Sequence, residues 1–131
     1  AALAIGLGDM VEIVAGRQDV GETAAQAAMR ECIEEIGVKP ARLVQIMRLM
    51  PAPALTDEIM TLFLAEVDST GLPDQAGLED EHEFIQPFAV PLDAAWSALE
   101  TGRILNAPLL ISLHWLRANL NLLSRPLSSA C

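Results

Sequence analysis

Between Thr23 and Gly37 the sequence carries both a helix start and a helix stop, and it loads the interval with acid. Thr23 is a candidate N-cap, and Gln26 three residues on completes a capping-box pattern. Ala25, Met29, Cys32, Ile33 and Ile36 recur at the spacing of one buried helical face. Gly37 suits the left-handed residue that ends a helix, and Pro40 prevents continuation. On this helix Glu31, Glu34 and Glu35 share a face, because residues three and four apart are neighbours. Like charges at that spacing repel by roughly a few tenths of a kcal/mol per pair. Such a face is either fully solvated or a place where a cation is held.

Composition narrows the choice. The chain of 131 residues is 52% hydrophobic and 20% charged, which excludes a disordered chain and fits one domain with a modest core. Eighteen acidic residues against eight basic ones give a formal charge of −10, a surface that repels polyanions and argues against a nucleic-acid groove. A small phosphate ester is not excluded, since bound divalent cations reverse the local sign. Two cysteines, Cys32 and Cys131, make no disulfide framework and fit a reducing compartment. There is no signal-peptide pattern. The longest apolar stretch, 104–123, is interrupted by Asn106, Pro108, His114 and Arg117 and reads as a packed helix, not a membrane span.

Along the chain, Met10–Ala15 reads as a short strand entering the polar loop 16–21. Leu43–Met50 and Glu58–Val67 read as strands, the second apolar enough to be central. Residues 68–80 form an irregular loop, Phe84–Val90 a short strand, Leu92–Leu99 a helix closed by Gly102, and Pro108–Leu123 a longer final helix. Alternating strands and helices predict an α/β sandwich.

Chemistry is concentrated in the acidic helix. Hard divalent cations take oxygen ligands, and Mg²⁺ is usually held by one or two carboxylates together with substrate phosphates. Glu22 adds a carboxylate just before the helix, and Arg30 is placed to orient a neighbouring glutamate. On charge alone the helix would still be a solvated acidic face. The spacing is more informative: Gly16, five residues, Glu22, seven residues, then Arg30-Glu31-Cys32-Ile33-Glu34-Glu35-Ile36-Gly37-Val38. This resembles the Nudix box at every fixed position, with Cys32 and Val38 in its two apolar places. The fixed identities arise together by chance at below ~10⁻⁸ per frame.

The resemblance implies a Nudix hydrolase that uses Mg²⁺ or Mn²⁺ to cleave a nucleoside diphosphate linked to another moiety. The implied fold is an α/β/α sandwich with a mixed sheet, here a single domain over residues 1–131 that lacks its N-terminal strands and is open to being a fragment of a longer chain. Downstream, Pro53, the run Thr56–Glu58, the acidic run Gly77–Ile85 and the run Gly102–Ala107 resemble the ADP-ribose pyrophosphatase branch. That branch implies metal binding by Glu31, Glu35 and the Ala15 carbonyl, with Glu83 in support and Glu22 nearby. It implies that Glu81 activates the attacking water, with Glu34 and Arg30 in the catalytic group, and that Glu58 and Gly16 face substrate. Which of Glu81 and Glu83 is the base is left open. The assignment is chemically coherent, because cations offset the charge of a diphosphate while one carboxylate handles a proton.

The bland readings stand beside these. Residues 79–83 alone would be a solvated loop, His82 an exposed bystander, His114 and Trp115 packing or dimer contacts, and Trp96 core. The leading expectation is hydrolysis of ADP-ribose to AMP and ribose 5-phosphate by a cytoplasmic homodimer. The alternatives are a nucleotide-sugar pyrophosphatase, acting on GDP-mannose for example, and a non-catalytic nucleotide-binding or truncated module. Absence of Tyr and only 4% aromatic residues leave few candidates for stacking on a base.

Overall fold

The computed structural model describes residues 10–81 and 84–123. Their elements run α1 (Ala24–Ile36), β1 (Arg42–Leu49), β2 (Met60–Glu66), α2 (Leu92–Glu100) and α3 (Ala107–Ala118). Short 3-10 turns occupy Ser69–Gly71, Glu79–Glu81 and Leu120–Leu122. This is an α/β chain. It divides into two compact units, one formed by Val14–Phe88 and the other by residues 10–13 and 89–123.

In the first unit α1 starts and stops where the sequence says it should. The Thr23 hydroxyl accepts the Gln26 amide at 3.1 Å and the Gln26 side chain accepts the Thr23 amide at 2.9 Å, so the capping box is closed in both directions. At the other end Gly37 adopts φ 69°, a left-handed conformation that costs an L residue about 1–2 kcal/mol, and its amide returns to the Ile33 carbonyl. A Cβ there would also come within 3.1–3.2 Å of the Pro73 ring.

Helix α1 packs on both strands. Its buried residues are Ala27 and Cys32, and Leu62 is the buried residue of β2. The expected apolar face is therefore only partly used. Ala25, Met29 and Ile33 line an open groove with Leu43, and Ile33 remains 47% exposed.

The strands pair antiparallel from Arg42↔Glu66 to Leu49↔Met60, with an irregularity between Gln45 and Met47 that skips Ile46. Among the described residues they form the whole sheet, so it is antiparallel and two-stranded where a mixed sheet was expected, and β2 is not central. Two further strand expectations fail. Residues 10–15 are irregular, because no ladder partner meets them among the described residues and the Ala15 amide bonds to a side chain of α1. The segment Phe84–Val90 keeps one antiparallel bridge, Ile85 to Ala76; Pro87 has no amide with which to extend it.

The second unit is built on α2 and α3. Ala98, Ile104 and Leu109 form its buried cluster, with Val11, Ile13, Leu110 and Leu113 packed against them. Asn106 caps α3 by accepting the Leu109 amide at 2.9 Å, and Pro108 occupies the first turn. The helix stops at Ala118, short of the expected Leu123, and a 3-10 turn follows. Arg117 ties α3 to α2 by donating to Glu100 at 2.7 Å and lying 5.7 Å from the centre of the half-buried Trp96 ring. His114 is exposed.

Candidate active site

The acidic face of α1 is organised by one arginine. Arg30 Nε and Nη2 donate to the two oxygens of Glu22 at 3.0 and 3.1 Å, a bidentate grip. Its Nη1 donates to Glu31 Oε1 at 2.7 Å and Glu34 Oε2 at 2.9 Å, while Nη2 also reaches the Arg17 carbonyl at 2.8 Å. The side chains of Glu22 and Glu31 are only 15% and 14% exposed, so their contacts with Arg30 are partly shielded from bulk water. The hydrogen bonds it donates to Glu22, then to Glu31 and Glu34, bind the Arg30 proton more firmly than in an ordinary arginine. The same bond from Arg30, followed by the Asp19 amide, holds the Glu22 carboxyl below its usual range.

The loop before α1 supports this arrangement. The Asp19 amide donates to Glu22 Oε2 at 3.0 Å, and the Gln18 side-chain amide donates to the Glu22 carbonyl. At the other end of the helix, Ala15 N–H donates to Glu35 Oε2 at 3.0 Å. Gly16 lies so close to Glu31 that a Cβ would fall 1.8 Å from Oε1. Glycine is needed here for space, since its φ is not among the positive values. The backbone at Ala15–Gly16 thus meets Glu31 and Glu35 on one side of α1.

Most sequence-predicted residues therefore converge: Ala15, Gly16, Glu22, Arg30, Glu31, Glu34 and Glu35 belong to one connected group. Glu22 was expected among metal carboxylates, and both its oxygens are on Arg30. Ala15 was expected to offer its carbonyl, and the contact made is by its amide. Glu58 lies in the loop before β2 with its amide on the Thr56 hydroxyl at 3.1 Å, and shares no hydrogen bond or ion pair with the α1 carboxylates among the described residues. Glu81 ends the 3-10 turn Glu79–Glu81, and Glu83 and His82 lie outside the described residues. Sequence reasoning missed the Arg17 carbonyl, the Gln18 amide and the Asp19 amide as supports. Their only signal was membership of a polar loop of fixed length.

Among the described residues no three His, Cys, Asp or Glu side chains stand in an arrangement ready to ligate a metal. The donor chemistry nonetheless fits a hard cation: all donors are oxygens, and one guanidinium against four carboxylates leaves the face anionic. Cys32, beneath this face, is a free buried thiol. Burial first, and then the charges of Glu35 and Glu31, push its pKa up, which makes it a packing residue rather than a nucleophile.

The chain matches the family model of the NUDIX domain over residues 5–113. It is 35% identical over 108 residues to the ADP-ribose pyrophosphatase of Escherichia coli K12, a match covering 82% of this chain and 52% of the relative. The ADP-ribose pyrophosphatase of Bacillus subtilis is 33% identical over 108 residues, covering 82% and 57%. A methanol dehydrogenase activator of Bacillus methanolicus is 32% identical over a stretch of the same length, again covering 82% and 57%. The chain thus spans about half the length of the curated relatives it matches. With the box residues gathered on α1 and these matches, the chain belongs to the Nudix family, on its ADP-ribose pyrophosphatase branch.

Proposed function

We propose that the protein containing this chain is a Mg²⁺-dependent pyrophosphohydrolase, with Mn²⁺ as a substitute, that cleaves the diphosphate of ADP-ribose to AMP and ribose 5-phosphate. The observation that carries this reading is the gathering of Glu31, Glu35 and the Ala15–Gly16 backbone on one side of α1, stiffened by Arg30. Glu31, Glu35 and the Ala15 carbonyl would hold the cation, with Glu83 supporting it from the later loop. The cation supplies charge neutralisation at the diphosphate. Arg30 fixes Glu31 and Glu34 in place, and Glu22 anchors Arg30. Glu81 takes the proton of the attacking water, and Gly16 and Glu58 face the substrate.

The same resemblance supports an α/β/α sandwich in one Nudix domain spanning both units, a homodimer, a cytoplasmic location and a small-molecule nucleoside diphosphate partner. No described helix is long and apolar enough to cross a membrane. The test is a screen of nucleoside diphosphate substrates on the full-length protein with Mg²⁺ or Mn²⁺, scored by released nucleotide. AMP from ADP-ribose is the expected product. Preferential cleavage of GDP-mannose would move the assignment to nucleotide sugars. Nucleotide binding without hydrolysis would make the protein a binding module and refute the proposal.

A further inference from the structure

The last four carbonyls of an α-helix have no partner within the helix, so a helix whose final turn must hold its shape needs donor partners from elsewhere. In α1 that final turn carries Glu34 and Glu35. The Glu34 carbonyl accepts the amide of Gly77, at 3.1 Å, from a loop more than forty residues downstream. Gly77 has φ 100°, a conformation open to glycine and disfavoured for L side chains. Its neighbour Ala76 is held in turn, with its amide on the Ile85 carbonyl at 2.8 Å and its carbonyl accepting the Ile85 amide at 3.1 Å. The acidic run is therefore pinned at both ends. The entry residue is tied to α1, and the 3-10 turn Glu79–Glu81 begins two residues beyond it.

We propose that Gly77 is a positioning residue that locks the last turn of α1 to the acidic loop, so that the helix carboxylates and the loop order and loosen together. This rests on the functional reading above for its consequence in catalysis, but the coupling itself does not. A left-handed glycine is required because the chain must turn its amide onto the helix end while Ala76 keeps both bonds to Ile85. Any L residue at 77 must give up part of that geometry, and proline also removes the donor.

The test is native-state amide hydrogen exchange, with steady-state kinetics of the full-length protein alongside. In the unmodified chain the amides of Gly77, Ile36 and Gly37 should share one opening equilibrium across a denaturant series. In Gly77→Pro the Ile36 and Gly37 amides should exchange about fivefold faster or more, while those of Ala27–Arg30 are unchanged. In the active full-length protein kcat should fall about tenfold with KM within about twofold. Gly77→Asn, which keeps the amide and is among the L residues least disfavoured at positive φ, should recover part of the protection. Free exchange of Gly77 beside a protected α1 end in the unmodified chain would overturn the proposal, and so would unchanged α1 exchange in a folded Gly77→Pro. Coupled exchange in a protein that hydrolyses no nucleotide would sink the enzymatic reading and leave the coupling standing.

Discussion

Replacing Gly16 by alanine should separate the placement of Glu31 from the stability of the fold. The new Cβ would sit 1.8 Å from Glu31 Oε1 and 1.9 Å from Cδ, a distance no real contact reaches. To restore an ordinary separation near 3.5 Å the carboxylate must retreat by about 1.7 Å. That movement breaks its 2.7 Å bond from Arg30, since hydrogen bonds fail beyond about 3.2 Å. The obstacle is the far end of a flexible side chain, so the backbone need not move. An off-rotamer Glu31 costs about 0.5–1.5 kcal/mol. Alanine at a position without positive φ returns about 0.4–1 kcal/mol through the unfolded chain. The lost ion pair adds up to about 1 kcal/mol, so the net change is a destabilisation of at most about 2 kcal/mol, or about 8 °C in Tm for a domain of this size. With Glu31 as the proposed cation ligand, its displacement should lower metal affinity or kcat/KM by about 10–100-fold. The assay pairs thermal unfolding with Mn²⁺ titration and ADP-ribose turnover of the full-length variant. Unchanged metal binding and turnover would show that the position of Glu31 is immaterial. A fall in Tm well beyond about 8 °C would show that Gly16 supports the backbone instead.

Other substitutions divide the same way. Glu35→Gln should weaken Mg²⁺ binding and turnover together, whereas Glu81→Gln should cut turnover by about 10²–10⁴-fold at nearly unchanged metal affinity, measured by calorimetry and kinetics; loss of metal binding in the second would exchange the roles of Glu81 and Glu83. Gly37→Ala should destabilise by about 1–2 kcal/mol and Thr23→Ala by about 1 kcal/mol in denaturant titrations, through the left-handed cap and the capping box. The Glu22 carboxyl is depressed in the fold, so its stabilisation is present above its ordinary value of 4.5 and is lost as pH falls through the lower folded value. In metal-free protein Glu22→Gln should therefore flatten the acid limb of the Tm–pH curve, and an unchanged limb would contradict the Arg30 grip. In a Cys131→Ser background, Cys32 should react with a thiol reagent only at the rate of unfolding, because it is buried and its pKa is raised.

What the sequence made legible was mostly local. The Thr23–Gln26 box and the Gly37 stop are written in neighbouring residues, so the bounds of α1 follow closely from its own sequence. Both strands of the sheet match their sequence patterns within about two residues, the usual margin for element ends. The errors concern partners far away in the chain. Residues 10–15 look β-branched enough for a strand, but a strand needs a ladder, and the local pattern cannot say whether one exists. Phe84–Val90 is different: Pro87, a local signal, has no amide to carry the ladder past the Ile85 bridge. In the site, carboxylates and arginine could be named because their side chains advertise the chemistry. The Arg17 carbonyl and the Gly77 amide could not, because every residue but proline offers a backbone donor and acceptor alike.

Arg30 carries a further consequence for how this surface tolerates change. Its donors are shared among Glu22, Glu31, Glu34 and a backbone oxygen, so losing any one acceptor lets the guanidinium lean toward those that remain. Substitutions around it will not combine as independent events: pairs should show coupling that their single effects do not foretell. The acids that look interchangeable in sequence are thus bound into one unit, and drift at one of them changes the terms on which the others can vary.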